Sequence, residues 1–232
     1  MYNRTYRGKA QHGKFVNPQE LLEDGLYELG LDEELAGDDR LMEYITELMN
    51  WNRVYNLTSV RRPTDIVRRH ILDSLTVIPH LHGDRILDIG TGAGLPGIPL
   101  AIACPQRKFV LLDSSSKKLR FIQQTLGILE LDNVTLAHTR IEDYRPDRLF
   151  GTVICRAFSD LHDLYQHATR LCTADGRMLA MKGIYPMAEI AGLEHKDVID
   201  DVVSLHVPGL DAERHLVLMH PMTNQEETAW ER

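Results

Sequence analysis

Asp88-Ile89-Gly90-Thr91-Gly92-Ala93-Gly94-Leu95-Pro96-Gly97 is the stretch of this chain whose residue types and spacing point most directly to chemistry. Glycines let a backbone turn tightly and let a ligand come close to the main chain. The segment follows a short apolar run, Arg85 to Ile89, and opens a helix predicted from Pro96 to Ala103. A helix start adds exposed N–H groups and partial positive charge. Asp113 ends the next apolar run, Lys108 to Leu112, about 20 residues further on, where a carboxylate can accept both hydroxyls of a ribose. Beyond a third run, Ile141 and Glu142 offer an apolar side chain and adjacent backbone for an adenine. Taken singly, Asp113 could be a helix N-cap and Glu142 a solvated acid. Their order and spacing behind the loop point instead to a bound adenosyl cofactor.

Two cofactor classes compete for the loop. A dinucleotide fingerprint is G-x-G-x-x-G directly after the strand. Counted from Gly90, the sixth position is Leu95; the pattern is met only when shifted to Gly92-x-Gly94-x-x-Gly97, two residues further from the strand. An acid two residues before G-x-G-x-G instead resembles the first motif of class I S-adenosylmethionine-dependent methyltransferases. There an ammonium and a carboxylate, rather than a pyrophosphate, would lie near the loop, and Asp88 suits the ammonium. Asp113 serves either reading.

The elements that must hold these residues are legible from periodicity. Leu21, Leu22, Leu26 and Leu29, then Leu41, Met42, Ile45, Leu48 and Met49, fall at helical spacing and predict two amphipathic helices, the second running to about Tyr55. Asn56-Leu-Thr-Ser59 and Pro63 break it, and Thr64-Asp65 can cap a third helix from about Asp65 to Leu81. From Asp84 strands alternate with helices: strands over 85–89, 108–112, 134–137, 151–155 and 177–181, with helices over 96–103, 116–129 and 161–172. The last two strands, 198–207 and 215–220, are joined by a short turn and should be antiparallel. The alternation predicts a mainly parallel sheet covered on both faces. The expected organisation is a flexible basic tail (1–17), an N-terminal helical extension (18–82), a Rossmann-like α/β methyltransferase domain (83–222) and a C-terminal tail (223–232).

With 232 residues the chain can bury a full core without disulfides or metal. Cys104, Cys155 and Cys172 lie in apolar contexts and read as buried, reduced thiols. The remaining histidines show no metal-ligand pattern. There is no signal-peptide core and no run near the length of a membrane span, so a cytoplasmic protein is expected.

Beyond the loop, several segments resemble the glucose-inhibited division protein B family of bacterial methyltransferases acting on 16S ribosomal RNA. They are Trp51-Asn-Arg-Val-Tyr-Asn-Leu-Thr-Ser59, Arg69-His-Ile-Leu-Asp-Ser74, Gly90 to Gly97 with its Gly-Leu-Pro-Gly extension, Leu111-Leu-Asp-Ser114, Arg156-Ala-Phe158 and Glu213-Arg-His-Leu216. They cover about residues 40–220 in the same order. The resemblance implies S-adenosylmethionine as cofactor and methylation of a guanine N7 in 16S ribosomal RNA, within the small subunit or an assembly intermediate; the oligomeric state is left open, with a monomer favoured. It implies cofactor contacts at Gly90, Gly92, Leu95, Asp113, Ile141, Glu142 and Arg156. Cys155 stands where serine is expected, and Lys182-Gly183 retains a lysine-glycine pair.

Guanine N7 carries an in-plane lone pair and no proton, so methyl transfer is a direct displacement that needs alignment and no general base. No catalytic residue is therefore assigned. Asn56, His70, Asp73, Phe158 and Lys182 are candidates for positioning the substrate. Arg156 could bind the methionine carboxylate or the guanine O6 edge, and the resemblance favours the cofactor. Phe158 could stack on an extruded base or belong to the core. Cys155 lacks the context of a cytosine-C5 nucleophile. A small-molecule methyltransferase, an NAD-dependent oxidoreductase and a non-catalytic adenosine-binding protein are the rival readings.

The formal net charge of −8 argues, taken whole, against a nucleic-acid binder. Its distribution argues otherwise. Residues 18–50 hold eleven acids and one base, whereas 1–17, 53–70 and 105–120 each carry +4. Some of the basic segments are expected to converge at the cofactor mouth, with the acidic helices facing away.

Overall fold

Short runs of branched apolar residues assemble a seven-stranded sheet in the computed structural model, which describes residues 17–158 and 160–221. The strands are β1 (Arg85–Ile89), β2 (Lys108–Asp113), β3 (Val134–His138), β4 (Phe150–Arg156), β5 (Cys172–Lys182), β6 (Ile199–Ser204) and β7 (His215–Met219). Their order across the sheet is β3-β2-β1-β4-β5-β7-β6. The first five are parallel, and β7 runs antiparallel to both β5 and β6. The chain steps outward from β1 to β3, then restarts at β4 on the other side of β1. Such a reversal opens a crevice at the carboxyl ends of the two central strands, where ligands bind in open α/β sheets.

Helices cover both faces. On one face, α1 (Pro18–Leu29), α2 (Arg40–Tyr55), α5 (Gly97–Ala103) and α6 (Ser116–Ile128) bury leucines and isoleucines against Phe109, Leu111, Ile154 and Leu179. Between α2 and β1 runs a continuous helical rod: α3 (Pro63–Ile66), a π-helical stretch (Val67–Leu72) and α4 (Asp73–Leu75). The N-terminal helices thus share one apolar core with the sheet. The other face is covered by α7 (Leu161–Ala168) over Leu87, Val153, Ala180 and Val217, with α8 (Met187–Gly192) beside it. Glu20, Glu23, Asp24 and Glu28 of α1 are exposed, which gives that helix its acidic outer face. No helix among the described residues is long and apolar enough to cross a membrane.

The structure corrects several expected boundaries. The third helix starts at Pro63, not at Thr64-Asp65, because proline is pre-set for the first helical position and its missing N–H is not needed there. It also changes pitch at Val67 and ends before the 3₁₀ turn Ile78–His80, short of the predicted Leu81. Helix α7 stops at Ala168, and Cys172 is already paired with Phe150 in the sheet. The polar Thr173-Ala-Asp-Gly176 reads as a loop in sequence but is an irregularity inside β5, since the ladder resumes only at Thr152 and Arg177. Asn17, assigned to the basic tail, accepts the Gln19 N–H and caps α1. The rest of both expected tails, 1–16 and 223–232, lies outside the described residues.

Candidate active site

Register aligns the site. Ile89 pairs with Leu112 on one side and Cys155 on the other, which brings Gly90 level with Asp113 and Arg156. Lys182 pairs with His215 further along the same rim. The carboxyl rim of the sheet therefore gathers the glycine loop, Asp113, Arg156 and Lys182.

The loop is shaped for close approach. Gly90 and Gly92 have φ of +66° and +62°, the left-handed region that favours glycine. A Cβ added at Gly90 would meet no protein atom within 4 Å, so that backbone faces open space where a ligand would sit. At Gly97 the reverse holds: a Cβ would overlap Leu111 and Asp88, so glycine is needed to dock the helix on the sheet. Asp88 is fully buried. Its Oδ2 accepts from Thr91 Oγ1 at 2.6 Å and from the Gly97 N–H at 2.9 Å. Its Oδ1 has no partner among the described residues. Burial pushes the Asp88 pKa up to about 6, against the opposing effect of those two hydrogen bonds. A buried carboxylate oxygen left unpartnered two residues before a glycine cradle fits a ligand that brings its own donor, as an ammonium does.

Asp113 is not an N-cap. Ser115 caps α6, and Asp113 Oδ1 accepts the Ser115 N–H at 2.8 Å. Its Oδ2 accepts the Gly92 N–H at 2.9 Å, with Lys118 Nζ at 3.4 Å. The carboxylate therefore pins the loop, and each oxygen keeps a further lone pair for a ribose hydroxyl. Leu95 is buried in the core, which leaves its backbone as the part near the loop surface. Ile141 is buried beneath a 3₁₀ turn (Ile141–Asp143), and its carbonyl accepts from Arg170 at 2.5 Å. The Glu142 carboxylate lies 4.0 Å from His167 of α7 and half in solvent.

Arg156 closes the other side of the loop. Its NH1 donates to the Arg69 carbonyl at 3.3 Å and lies 3.6 Å from Asp73. Asp73 is buried and also accepts from Arg214 Nε at 2.9 Å, so one carboxylate holds two guanidiniums, one at the end of β4 and one just before β7. Burial raises the Asp73 pKa, and the two arginines oppose that rise. His70 Nδ1 lies 2.9 Å from the Arg69 carbonyl, which can only accept, and 3.3 Å from Arg156 NH1, which can only donate; the shorter contact assigns the proton to Nδ1. Its Nε2 then accepts from Thr58 Oγ1 at 2.8 Å. Burial, reinforced by Arg156, drops the His70 pKa to about 4, and the ring is neutral. His70 Nδ1 and Asp73 Oδ2 thus both lie near Arg156 NH1, at 3.3 Å and 3.6 Å. Asn56 is apart from them: exposed, left-handed, and the C-cap of α2. Phe158 is partly buried against the core. Lys182 is held by Glu189 at 2.6 Å and donates to the Phe158 carbonyl. Burial raises the Cys155 pKa to about 12, which keeps it an inert thiol. Among the described residues no group of side chains is placed to hold a metal ion.

Four shaping side chains do not stand out in the sequence. Tyr44 of α2 reaches the glycine loop, Asn52 ties the Thr58 and Val60 backbone, Arg214 joins Asp73, and Glu189 accepts the Leu161 N–H. Only Asn52 and Arg214 lie in segments that carry the resemblance.

Residues 38–217, which contain the loop, Asp113, Arg156 and Arg214, match the family described as rRNA small subunit methyltransferase G. The chain belongs to this family. A member from Nitrosospira multiformis is 46% identical over 211 residues, covering 88% of this chain and 98% of the relative. Another, from Idiomarina loihiensis, is 49% identical over 172 residues, 74% of this chain and 84% of the relative. Among solved structures, an S-adenosylmethionine-dependent methyltransferase from Aquifex aeolicus superposes with a TM-score of 0.55 at 14% identity, over 72% of this chain and 97% of that one. That likeness shows the fold: a class I methyltransferase sheet, to which this chain adds a helical N-terminal segment.

Proposed function

We propose that this chain transfers a methyl group from S-adenosylmethionine to N7 of a guanine in 16S ribosomal RNA. The observation that carries the reading is the family match across 38–217, which spans every element of the rim. The residues present fit the cofactor. Gly90 and Gly92 would face its amino-acid portion, Asp88 its ammonium, Asp113 its ribose, and the Ile141 segment its adenine. When bound, S-adenosylmethionine supplies an electrophilic methyl group on a sulfonium.

The chain's own residues supply position and field. His70 is neutral with both ring nitrogens engaged, and Asp73 is committed to two arginines. Neither side chain is poised as a general base, and an in-plane N7 lone pair needs none. Asp73 fixes the guanidinium of Arg156 at the end of β4, where it can hold the cofactor carboxylate. The same carboxylate offsets one of the two guanidinium charges, and the cofactor carboxylate would offset the other, which limits repulsion of the cationic product.

The same reading takes 83–222 as the catalytic domain with 18–82 packed on it, working as a monomer in the cytoplasm on the small subunit or an assembly intermediate. The test is purified protein with labelled S-adenosylmethionine and unmodified small subunits or 16S RNA, followed by mass mapping of the labelled nucleotide. Label in one guanine at N7 is expected. Label in small molecules and never in RNA would overturn the proposal.

A further inference from the structure

Cations along the rim of the sheet are mostly neutralised. Arg156 and Arg214 share Asp73, Lys118 faces Asp113, and Lys182 faces Glu189. A groove of about 390 Å³ beside α3 differs. Ser59, Val60, Arg61, Arg62, Asp65 and Arg69 line it. Its three arginines are exposed, and among the described residues none lies within 4.0 Å of a carboxylate. Among the described residues the Arg61 side chain reaches only Asn56 Oδ1, at 3.4 Å. On a chain of net charge −8, three uncommitted guanidiniums against one carboxylate mark a surface kept for an anion.

The groove has a fixed frame. Asn52 Oδ1 accepts the Thr58 N–H at 2.9 Å, and Asn52 Nδ2 donates to the Val60 carbonyl at 3.4 Å. Thr58 Oγ1 accepts the Val60 N–H at 3.1 Å while it donates to His70. The backbone that carries Ser59 to Arg62 is therefore tied to α2 and to the π-helical stretch. It also adjoins the site through one residue. Arg69 lines the groove, and its carbonyl accepts from Arg156 at the end of β4.

We propose that this groove binds the sugar–phosphate backbone of the RNA strand next to the methylated guanine. Guanidiniums pair with phosphodiester oxygens in bidentate fashion, and Ser59 adds a hydroxyl donor. Such contacts set the register of the strand and leave base identity to the pocket. This inference rests on ribosomal RNA being the substrate. It adds which surface grips the strand, and it places that grip on the α2–α3 connection rather than on the sheet.

The full-length protein and its R61Q/R62Q variant test it. Both positions are exposed, so the variant should fold. Binding of unmodified 16S RNA is titrated across a range of salt concentrations, with methyl transfer and S-adenosylmethionine affinity measured in parallel. The variant is expected to bind RNA about tenfold more weakly near 0.1 M salt. Its slope of log affinity against log salt should flatten by about 1.5, from two lost phosphate contacts. KM for RNA should rise while S-adenosylmethionine affinity stays within twofold, and R61K/R62K should keep most of the slope. An unchanged slope and affinity overturns the groove assignment. So does a variant that fails only on assembled subunits, since that outcome would assign the groove to a ribosomal protein. If the wild-type protein methylates no RNA at all, the functional reading itself falls, a result distinct from either.

Discussion

The hydroxyl of Tyr44, on α2, donates to the carbonyl of Ala93 in the glycine loop across 2.7 Å. Tyr44 is fully buried, and its ring packs near Phe121 of α6. A helix from the N-terminal segment therefore braces the loop that the sheet presents. Tyr44→Phe leaves a buried carbonyl without its donor and should cost about 1–2 kcal/mol of stability. Thermal melts check that cost. Titration with S-adenosylmethionine should show severalfold weaker binding, and wild-type affinity would mean that the loop keeps its shape unaided.

Gly90→Ala separates folding from ligand binding. Its methyl group meets no protein atom, so the fold bears only the left-handed strain, about 1–2 kcal/mol. The same methyl occupies the open side of the cradle, and cofactor affinity should fall more than tenfold. Asp113→Ala should weaken it by a comparable factor, on the order of 1.5–3 kcal/mol, through the lost charged acceptor and the freed Gly92 N–H. Calorimetric titration reads both, and unchanged affinity in Asp113→Ala would remove that residue from the site.

Arg156→Ala and Asp73→Ala should part company. Without Arg156, Asp73 still pairs with Arg214, so the chain should stay folded while methyl transfer drops by at least tenfold. Without Asp73, two partly exposed guanidiniums face each other with no counter-charge, and stability should fall by about 2–3 kcal/mol. Denaturant melts beside single-turnover assays would distinguish the two. Normal turnover in Arg156→Ala would remove its role.

His70 makes the acid limb of stability steeper. Its pKa of about 4 in the folded chain lies below the unfolded value near 6.5, so the unfolded state binds the extra proton between those limits. The contribution is intact above pH 6.5 and is lost as pH falls toward 4, by up to about 3 kcal/mol. Asp88 works in the opposite sense: its raised pKa makes the folded state bind more protons between pH 4 and 6. In His70→Gln the fall of the melting temperature from pH 6.5 to 4 should be shallower than in wild type. An identical pH profile in both proteins would show that His70 does not titrate in that window.

The sequence by itself determined the parts of this protein that are written in local periodicity. Alternating apolar runs specify the strands of a parallel sheet, and the order of acid, glycine loop and second acid specifies an adenosyl site between them. Basic and acidic stretches were legible as totals only. Tertiary structure sorted them: Arg61, Arg62 and Arg69 gather in one groove, whereas Arg107 and Lys108 lie at the start of β2, at the end of the sheet opposite the site. It alone decided that Tyr44 braces the loop and that Asp73 joins Arg156 to Arg214, residues 58 positions apart in the chain. Periodicity records which face of an element is buried, whereas a hydrogen bond or ion pair between elements depends on sheet order and register, which arise only when the strands pair.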